Sequence, residues 1–238
     1  MLKIEHLIKR FGDKLAVNDL SLEVGDGDIC AFIGKNGAGK TTTLKSVAGI
    51  WQFDGGEIFI DGESIKQNSI EAKKKIAYIP DNPDLYEHLS GIDYLNFVAD
   101  VFLMSQEERK QQIEYYAKRL DIYSSLGSQI GSYSHGMKQK LALVSALIHK
   151  PKLILLDEPF VGLDPTASHE FKLIMKELAE TGVTIFYSTH VLEVAEKICS
   201  KVAIINDGKL VVFGDMEKVK GMDSLEQIFL ELANEKHD

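Results

Sequence analysis

One segment, Gly34-Lys-Asn-Gly37-Ala-Gly39-Lys40-Thr41, governs how the rest of this sequence is interpreted. It fits the pattern GxxxxGK[ST] in full, follows the apolar run 29–33, and precedes a stretch of helical apolar spacing. Glycines let consecutive backbone N–H groups point at one anion, and the N-terminus of the following helix adds a favourable dipole. The segment therefore predicts a strand, a phosphate-binding loop and a helix around a triphosphate.

The side chains of this segment have chemistry that suits a metal-bound triphosphate. Lys40 can place its charge on the β- and γ-phosphates, and the hydroxyl of Thr41 can ligate Mg²⁺. The next residue, Thr42, is placed to donate to the α-phosphate. These three residues are thus predicted to bind ATP and Mg²⁺, with Lys40 also serving catalysis.

A second apolar strand, Leu153-Ile-Leu-Leu-Asp157-Glu158, ends in two acids. Carboxylates at the carboxyl end of a parallel strand lie at the edge where ligands bind. We expect Asp157 to reach Mg²⁺ through water and Glu158 to face the γ-phosphate as a general base or water-positioning group. The alternative is that Glu158 is a solvated residue at a strand end. The sequence contains no NKxD-like segment for reading guanine, so ATP is favoured over GTP.

Length and composition limit the classes of protein to consider. The chain has 238 residues, of which 45% are hydrophobic and 26% charged, as in ordinary globular domains. Disordered, collagen-like and disulfide-scaffold proteins are thereby excluded. The formal net charge is −9, and an acidic chain is a poor partner for nucleic acid, which favours a basic surface.

Cysteine usage and hydropathy predict a soluble intracellular protein. Cys30 and Cys199 are far apart and form no CxxC pair, so neither a disulfide nor a zinc site is expected. The first ten residues carry charges and lack the apolar segment of a signal peptide. The sequence has no apolar run of 18 residues or more that could span a bilayer.

Hydrophobic periodicity predicts an α/β fold with a mainly parallel sheet, an N-terminal antiparallel β part and an inserted α-helical subdomain. We expect one domain over residues 1–238, with an α/β core at 1–82 and 150–238 and a helical insert at 83–149. The predicted strands are 2–8, 20–24, 29–33, 57–60, 76–79, 153–157, 183–188, 202–205 and 210–213. The predicted helices outside the insert are 40–50, 167–180, 191–197 and about 224–233.

Taken together, the motifs resemble the nucleotide-binding subunits of ABC (ATP-binding cassette) transporters, from Phe11 to about Phe213. Residues 34–41 and 153–158 are similar to the family's Walker A and Walker B motifs. Ser134-His-Gly136-Met-Lys-Gln looks like the signature sequence, and Gly162-Leu-Asp164 looks like the D-loop. The resemblance implies that Ser134 and Gly136 contact phosphate at a helix N-terminus. Asp164 alone could simply form a turn.

The resemblance assigns further residues to the nucleotide. His190 in Ser188-Thr-His190 is similar to the switch histidine that senses the γ-phosphate, although a lone histidine is more often structural. Phe11 occupies the position of the aromatic residue that stacks on adenine, with Val17 packing nearby, although Phe11 alone could be core. The rest of the implied cofactor-binding set is Asn36, Gly37, Ala38, Gly39, Lys40, Thr41, Thr42, Asp81, Ser134, Gly136 and Asp164.

The sequence departs from the family pattern at two places. The Q-loop usually has Gln after Ile/Leu-Pro, but here Ile79-Pro80 is followed by Asp81. A carboxylate at Asp81 could reach Mg²⁺ or the attacking water, but it cannot donate a hydrogen bond as Gln does. In the signature, His135 replaces the first Gly and Met137 replaces Gln. We expect ATPase activity to be retained. How these two departures affect the coupling of ATP hydrolysis to transport is left open.

The resemblance implies two kinds of partner. In this family the signature of one subunit faces the Walker A loop of another, which implies a dimer with a second copy or a paralogue. A multi-span permease is implied as well, and the stretch 83–89 resembles the surface that binds it, although this stretch could equally pack in the core. The chain would then be cytoplasmic and peripheral on the inner face of the cell membrane.

Three functions remain open from the sequence. The segments 78–86 and 134–140 look most like ATPases of the ABC-2 type, including bacitracin-resistance exporters, and the short stretch after Phe213 is typical of that group. The first hypothesis is therefore an exporter ATPase. The second is an ABC ATPase without a permease that acts on a protein partner. The third is a catalytically silent nucleotide-binding adaptor, which the presence of Glu158 and His190 disfavours.

Overall fold

The computed structural model describes residues 1–221 and 225–227. The strands are β1 (Leu2–Phe11), β2 (Lys14–Val24), β3 (Ile29–Ile33), β4 (Gly55–Ile60), β5 (Glu63–Ser64), β6 (Ile76–Ile79), β7 (Leu153–Asp157), β8 (Thr184–Thr189), β9 (Lys201–Asn206) and β10 (Lys209–Asp215). The helices are α1 (Lys40–Val47), α2 (Ser69–Lys74), α3 (Gly91–Val101), α4 (Gln106–Arg119), α5 (His135–Leu147), α6 (Pro165–Glu180), α7 (Leu192–Ile198) and α8 (Met216–Lys220). The alternation of strands and helices confirms the predicted α/β class.

The larger sheet has the strand order β10-β9-β3-β8-β7-β6. All neighbouring pairs are parallel except β9 and β10, which form a hairpin. Every residue of β3, β7 and β8 is buried, which explains the continuous apolar runs 29–33 and 153–156, whereas β8 also buries the polar residues Thr184, Ser188 and Thr189. Because these strands run in the same direction, their carboxyl ends bring the phosphate loop, Asp157 and His190 to one edge of the sheet.

The smaller sheet is antiparallel, with the order β2-β1-β4-β5. Its first two strands are longer than predicted, since β1 continues to Phe11 and β2 begins at Lys14. The pattern of alternating burial is interrupted where His6 and Asp19 adopt positive φ angles of 51° and 58° and the pairing register shifts. Such irregularities change which residues face the core, so a period of two could not be followed across them.

The inserted helices α3, α4 and α5 lie between β6 and β7 in the chain and pack on the larger sheet. Their buried side chains, including Leu95, Tyr116 and Leu143, form one hydrophobic cluster with sheet residues such as Leu156 and Tyr187. This continuous core fixes the insert against the α/β part. The division into 1–82 with 150–238 and 83–149 stays a prediction.

Helix ends follow local capping chemistry. Ser134 caps α5, and Asp164 caps α6, whose first residue is Pro165. Helix α1 ends at Val47, earlier than predicted, because the chain turns at Gly49 with φ +64°. Apart from 225–227, the predicted terminal helix at about 224–233 lies outside the described residues. Within the described ranges, every helix is too short or too polar to cross a membrane.

Candidate functional site

The phosphate loop joins the end of β3 to the start of α1, as the sequence predicts. Gly37 and Gly39 have φ angles of +82° and +110°, a region that side chains with a Cβ rarely adopt. A Cβ on Gly39 would also lie 2.5 Å from the carbonyl oxygen of Ala16. The glycine at this position is therefore required by both backbone conformation and space.

Lys40 is the first residue of α1 and is 7% exposed. Its ammonium donates to the carbonyl oxygens of Gly34 at 2.6 Å and Lys35 at 3.3 Å, so the side chain lies along the loop. Burial lowers the pKa of Lys40 from its usual value, and the nearby carboxylates of Glu158 and Asp157 partly oppose this. A buried cation beside a loop of backbone N–H groups is suited to bind phosphate.

A cavity of about 380 Å³ lies at this edge of the sheet. The residues that line it come from β1, β2, the phosphate loop, α1, the segment after β6 and the end of β7. They are Phe11, Lys14, Ala16, Asn36, Gly37, Gly39, Lys40, Thr41, Thr42, Asp81, Asp157 and Glu158. Most of the predicted nucleotide-binding residues are thus brought together around one cavity.

Asp157 ends β7 and is 2% exposed. Its Oδ1 accepts a hydrogen bond of 2.5 Å from the hydroxyl of Ser188 on the neighbouring strand β8. Its Oδ2 is buried and has no hydrogen-bond partner among the described residues. A buried carboxylate oxygen without a partner is costly, and a metal-bound water would satisfy it. This atom fits the Mg²⁺ that the sequence predicts at Asp157.

Glu158 follows with a φ of +49°, which is unusual for a residue other than glycine. Its backbone N–H is held by the carbonyl oxygen of Ser188 at 3.3 Å and the hydroxyl oxygen of Ser188 at 3.1 Å. The carboxylate Oε2 lies 2.9 Å from Nδ1 of His190. The structure therefore brings together the two residues predicted to act on the γ-phosphate.

Asp81 follows β6 and lines the cavity with an exposed side chain. Its Oδ1 accepts from the backbone N–H of Asn82 at 2.9 Å.

Tyr78 lies on β6, close to these acids. Its burial is the main cause that raises the pKa of Tyr78 well above its usual value, and the negative charges of Asp157 and Asp81 raise it further. The Tyr78 hydroxyl is buried and lacks a partner among the described residues. Sequence reasoning did not identify Tyr78 as a site residue.

Thr41, Asp157 and Asp81 are the residues that could hold Mg²⁺ at this cavity. Within 1–221 and 225–227, no group of three or more His, Cys, Asp and Glu side chains forms a metal cluster. Mg²⁺ commonly binds through one or two protein oxygens together with waters and substrate phosphates. The oxygens at this cavity suit that mode of binding.

Phe11 lies at the end of β1 and is 44% exposed at the cavity. Its ring makes a T-shaped contact with Trp51 at a centroid distance of 5.0 Å, and the ammonium of Lys9 lies 4.9 Å from its centroid. Val17 is fully buried, so on this part of β2 it is Lys14 and Ala16 that face the cavity. Trp51, Lys14 and Ala16 were not identified from the sequence.

Three of the remaining predicted residues, Ser134, Gly136 and Asp164, form a second group that does not line this cavity. The Ser134 hydroxyl accepts from the backbone N–H of Met137 at the start of α5. Gly136 packs on the D-loop, where a Cβ would lie 2.7 Å from the carbonyl oxygen of Gly162. Asp164 accepts from the ammonium of Lys140 at 2.8 Å. That bond, with help from a backbone N–H, holds the pKa of Asp164 below its usual value.

Two other predicted residues lie beside the cavity. Ala38, within the phosphate loop, is 4% exposed and packs in a hydrophobic cluster. His190 has a side chain that is 62% exposed, and it faces a second cleft of about 310 Å³ shared with Gly34, Lys35 and Asn36. His190 therefore borders the phosphate loop at a cleft that shares Asn36 with the cavity.

Comparison with known proteins places these features in one family. A family model described as "ABC transporter" matches residues 17–161, and one described as "AAA domain, putative AbiEii toxin, Type IV TA system" matches the overlapping stretch 127–196. An uncharacterized ABC transporter ATP-binding protein of Methanocaldococcus jannaschii is 38% identical over 218 residues, covering 92% of this chain and 79% of that protein. The linearmycin resistance ATP-binding protein LnrL of Bacillus subtilis is 31% identical over 238 residues, covering 99% of this chain and 76% of that protein.

Solved structures share the fold. One described as an ATP-binding subunit of an ABC transporter superposes with a TM-score of 0.94 at 31% identity, covering 98% of this chain and 100% of that one. A dimeric ATP-binding cassette bound to ADP and Pi superposes with a TM-score of 0.82 at 23% identity, covering 91% of this chain and 99% of that one. The match to LnrL also agrees with the predicted ABC-2-type resemblance. The chain therefore belongs to the ABC transporter family, as an ATP-binding cassette that hydrolyses ATP.

Proposed function

We propose that this chain is one half of an ATP-driven dimer that powers an exporter from the cytoplasmic face of a membrane permease. The observation that carries the proposal is the separation of two groups of site residues on one chain. Lys40, Asp157 and Glu158 line the nucleotide cavity, whereas Ser134 and Gly136 lie with the D-loop outside it. A second copy or a paralogue is needed to bring a signature sequence to each nucleotide.

The chemistry at the cavity follows from the roles proposed for the residues. Backbone N–H groups at Gly37 and Gly39, with the ammonium of Lys40, bind the phosphates and stabilise charge as the γ-phosphoryl group leaves. Glu158 orients the attacking water and accepts its proton, while His190 holds the Glu158 carboxylate and reaches the γ-phosphate.

The other residues bind the nucleotide and the metal. Thr41, Asp157 and Asp81 would hold Mg²⁺, which neutralises phosphate charge when bound. The aromatic ring of Phe11 offers its exposed face to adenine, and Thr42 donates to the α-phosphate. Closure of two such chains around ATP, followed by opening after hydrolysis, supplies the conformational change that a permease would use.

An aromatic patch, formed by the exposed rings of Tyr86 and Phe97 with the partly buried ring of Tyr94, is the proposed binding surface for the permease. Tyr86 is 52% exposed, and its ring lies 6.2 Å from Tyr94 and 5.8 Å from Phe97. Within the stretch 83–89, Leu85 is buried in the core, so the stretch contributes to packing as well as to the surface. Clustered apolar surface of this kind is typical of protein interfaces.

The direction of transport is proposed from the relatives. LnrL is named for linearmycin resistance, and export of a toxic molecule is one route to resistance. The resemblance of residues 78–86 and 134–140 to ABC-2-type ATPases agrees with this direction. We therefore propose export, with the transported molecule determined by the permease.

Affinity purification of the tagged chain from detergent-solubilised native membranes tests this function. We expect a multi-span membrane protein and a second ATPase chain to co-purify. Tyr86→Glu and Phe97→Glu should each release the membrane protein, while Ile70→Glu, an exposed apolar position on α2, should retain it. Recovery of a protein partner without any membrane protein would instead support an ABC ATPase that acts outside transport.

A further inference from the structure

Ser188 lies between the two acids of the site and contacts both. It pairs with Asp157 across β7 and β8 and is fully buried. Its hydroxyl donates to Oδ1 of Asp157 at 2.5 Å and accepts from the backbone N–H of Glu158 at 3.1 Å. One hydroxyl group thus binds two consecutive residues that the proposed mechanism uses for different purposes.

The bond to Asp157 fixes the direction of its carboxylate. A hydroxyl that donates to an ionised carboxylate makes a charge-assisted hydrogen bond, which is stronger than one between neutral groups. With Oδ1 held by Ser188, Oδ2 is the oxygen left without a partner among the described residues. Residues behind a metal-facing carboxylate commonly control its orientation, and their loss weakens metal binding.

The bond to Glu158 holds an unfavourable backbone conformation. Glu158 has φ +49° and precedes Pro159, and both facts restrict its allowed geometry. Strained residues of this kind persist where the surrounding structure holds them in place. Here Ser188 supplies both acceptors for the Glu158 N–H, and the side chain then lies 2.9 Å from His190.

We propose that Ser188 is a positioning residue for ATP hydrolysis. Its hydroxyl leaves Asp157 Oδ2 free for a metal-bound water, which would bind there, and keeps Glu158 in the conformation that presents its carboxylate beside His190. The inference rests on the roles proposed above for Asp157 and Glu158. Ser188 is fully buried and acts through these two residues.

A matched pair of substitutions separates the hydroxyl from the shape of the side chain. Ser188→Thr keeps a hydroxyl and adds a methyl group, whereas Ser188→Val has nearly the same shape without the hydroxyl; both β-branched residues suit a strand. The first measurement is the affinity for Mn²⁺, by electron paramagnetic resonance, in the presence of a non-hydrolysable ATP analogue. We expect Ser188→Val to weaken Mn²⁺ binding by roughly 10- to 100-fold and Ser188→Thr to stay within about threefold.

The second measurement is steady-state ATPase activity over a range of Mg²⁺ and ATP concentrations. Ser188→Val should lower kcat and shift the Mg²⁺ dependence upward, with a smaller change in KM for ATP. A purely structural role would lower thermal stability without moving the Mg²⁺ dependence. If Ser188→Val does not fold, Ser188→Ala is compared with Ser188→Thr in the same way.

Two results would overturn the inference. The first is an unchanged Mn²⁺ affinity in Ser188→Val, or in Ser188→Ala if that variant is used. The second is an equal loss of Mn²⁺ affinity in the variant without the hydroxyl and in Ser188→Thr. Either result would leave the proposed function intact, provided the wild-type chain binds Mn²⁺ with the analogue. If the wild-type chain bound neither the ATP analogue nor Mn²⁺, the roles assigned to Lys40 and Asp157 would be contradicted instead.

Discussion

Nδ1 of His190 lies 2.9 Å from Oε2 of Glu158, and this contact links the residue after β8 to the residue after β7. The two side chains differ in exposure, since His190 is 62% exposed and Glu158 is 18% exposed. Glu158 is thus held at the wall of the nucleotide cavity while His190 keeps an open face. In the proposed mechanism, this pair would respond to the γ-phosphate of bound ATP.

Replacing Glu158 with Gln tests its role as the group that activates water. Glu158→Gln keeps the size of the side chain but removes its ability to accept a proton, so we expect the ATPase rate to fall by roughly 100-fold or more. ATP binding should be retained, and ATP should trap a dimer that gel filtration with light scattering can detect. Hydrolysis at the wild-type rate would show that Glu158 is not the base.

Replacing Lys40 with Ala tests the phosphate loop. The change removes a buried cation that donates to Gly34 at 2.6 Å without phosphate and would donate to phosphate when ATP binds. Charge-assisted hydrogen bonds contribute about 1.5–3 kcal/mol, so the Kd for ATP should rise by roughly 10- to 150-fold in calorimetric titration. Lys35→Ala changes a neighbouring lysine of the loop and is the control. Unchanged ATP affinity in Lys40→Ala would contradict the assignment.

Asp81→Gln restores the residue type that the family usually has at this position. The change removes one negative charge from the cavity wall, so the Mg²⁺ concentration needed for half-maximal ATPase activity should rise. The Asp81 side chain is exposed, so we expect a modest effect of about 1 kcal/mol, or roughly fivefold. Asp84→Asn, at another exposed acid after β6, should leave the Mg²⁺ requirement unchanged. An unaltered requirement in Asp81→Gln would remove Asp81 from the metal site.

The parts of the site that the sequence predicted are those encoded by short local patterns. The glycine spacing of 34–41 requires a particular loop, and the apolar runs before Gly34 and before Asp157 require buried strands. Because parallel strands end at the same edge of a sheet, these patterns also predicted that the loop and the two acids would meet. The helix N-terminus at Ser134 was likewise expected from the sequence, whereas the role of Asp164 as the cap of α6 was not.

The residues that the sequence did not identify reach the site through pairing between distant segments. Ser188 is separated from Asp157 by 31 positions, and their contact depends on the register of β7 with β8. Val17 was placed near adenine by resemblance, but successive residues of a strand point to opposite faces, and here Ala16 lines the cavity instead. Strand register and facing cannot be read from single positions when bulges interrupt the pattern.

His149 predicts a pH dependence of stability that is independent of catalysis. Its ring stacks on Phe102 at a centroid distance of 3.7 Å, and burial lowers the pKa of His149 from its usual value of 6.5 to about 4. Between these values the unfolded chain binds a proton that the folded chain does not, so stability falls as pH falls from about 6.5 toward 4. From pH 7 to 5.5 this amounts to about 1 kcal/mol.

Replacing His149 with Gln isolates this contribution, because glutamine keeps hydrogen-bonding capacity but does not titrate. Urea unfolding at pH 7 and pH 5.5 should show a smaller loss of stability for His149→Gln than for the wild-type chain, with a difference of about 1 kcal/mol. His169→Gln, which changes an exposed histidine on α6, is the matched control. An equal loss of stability in His149→Gln and the wild-type chain would mean that His149 takes up its proton in the folded chain as readily as in the unfolded one.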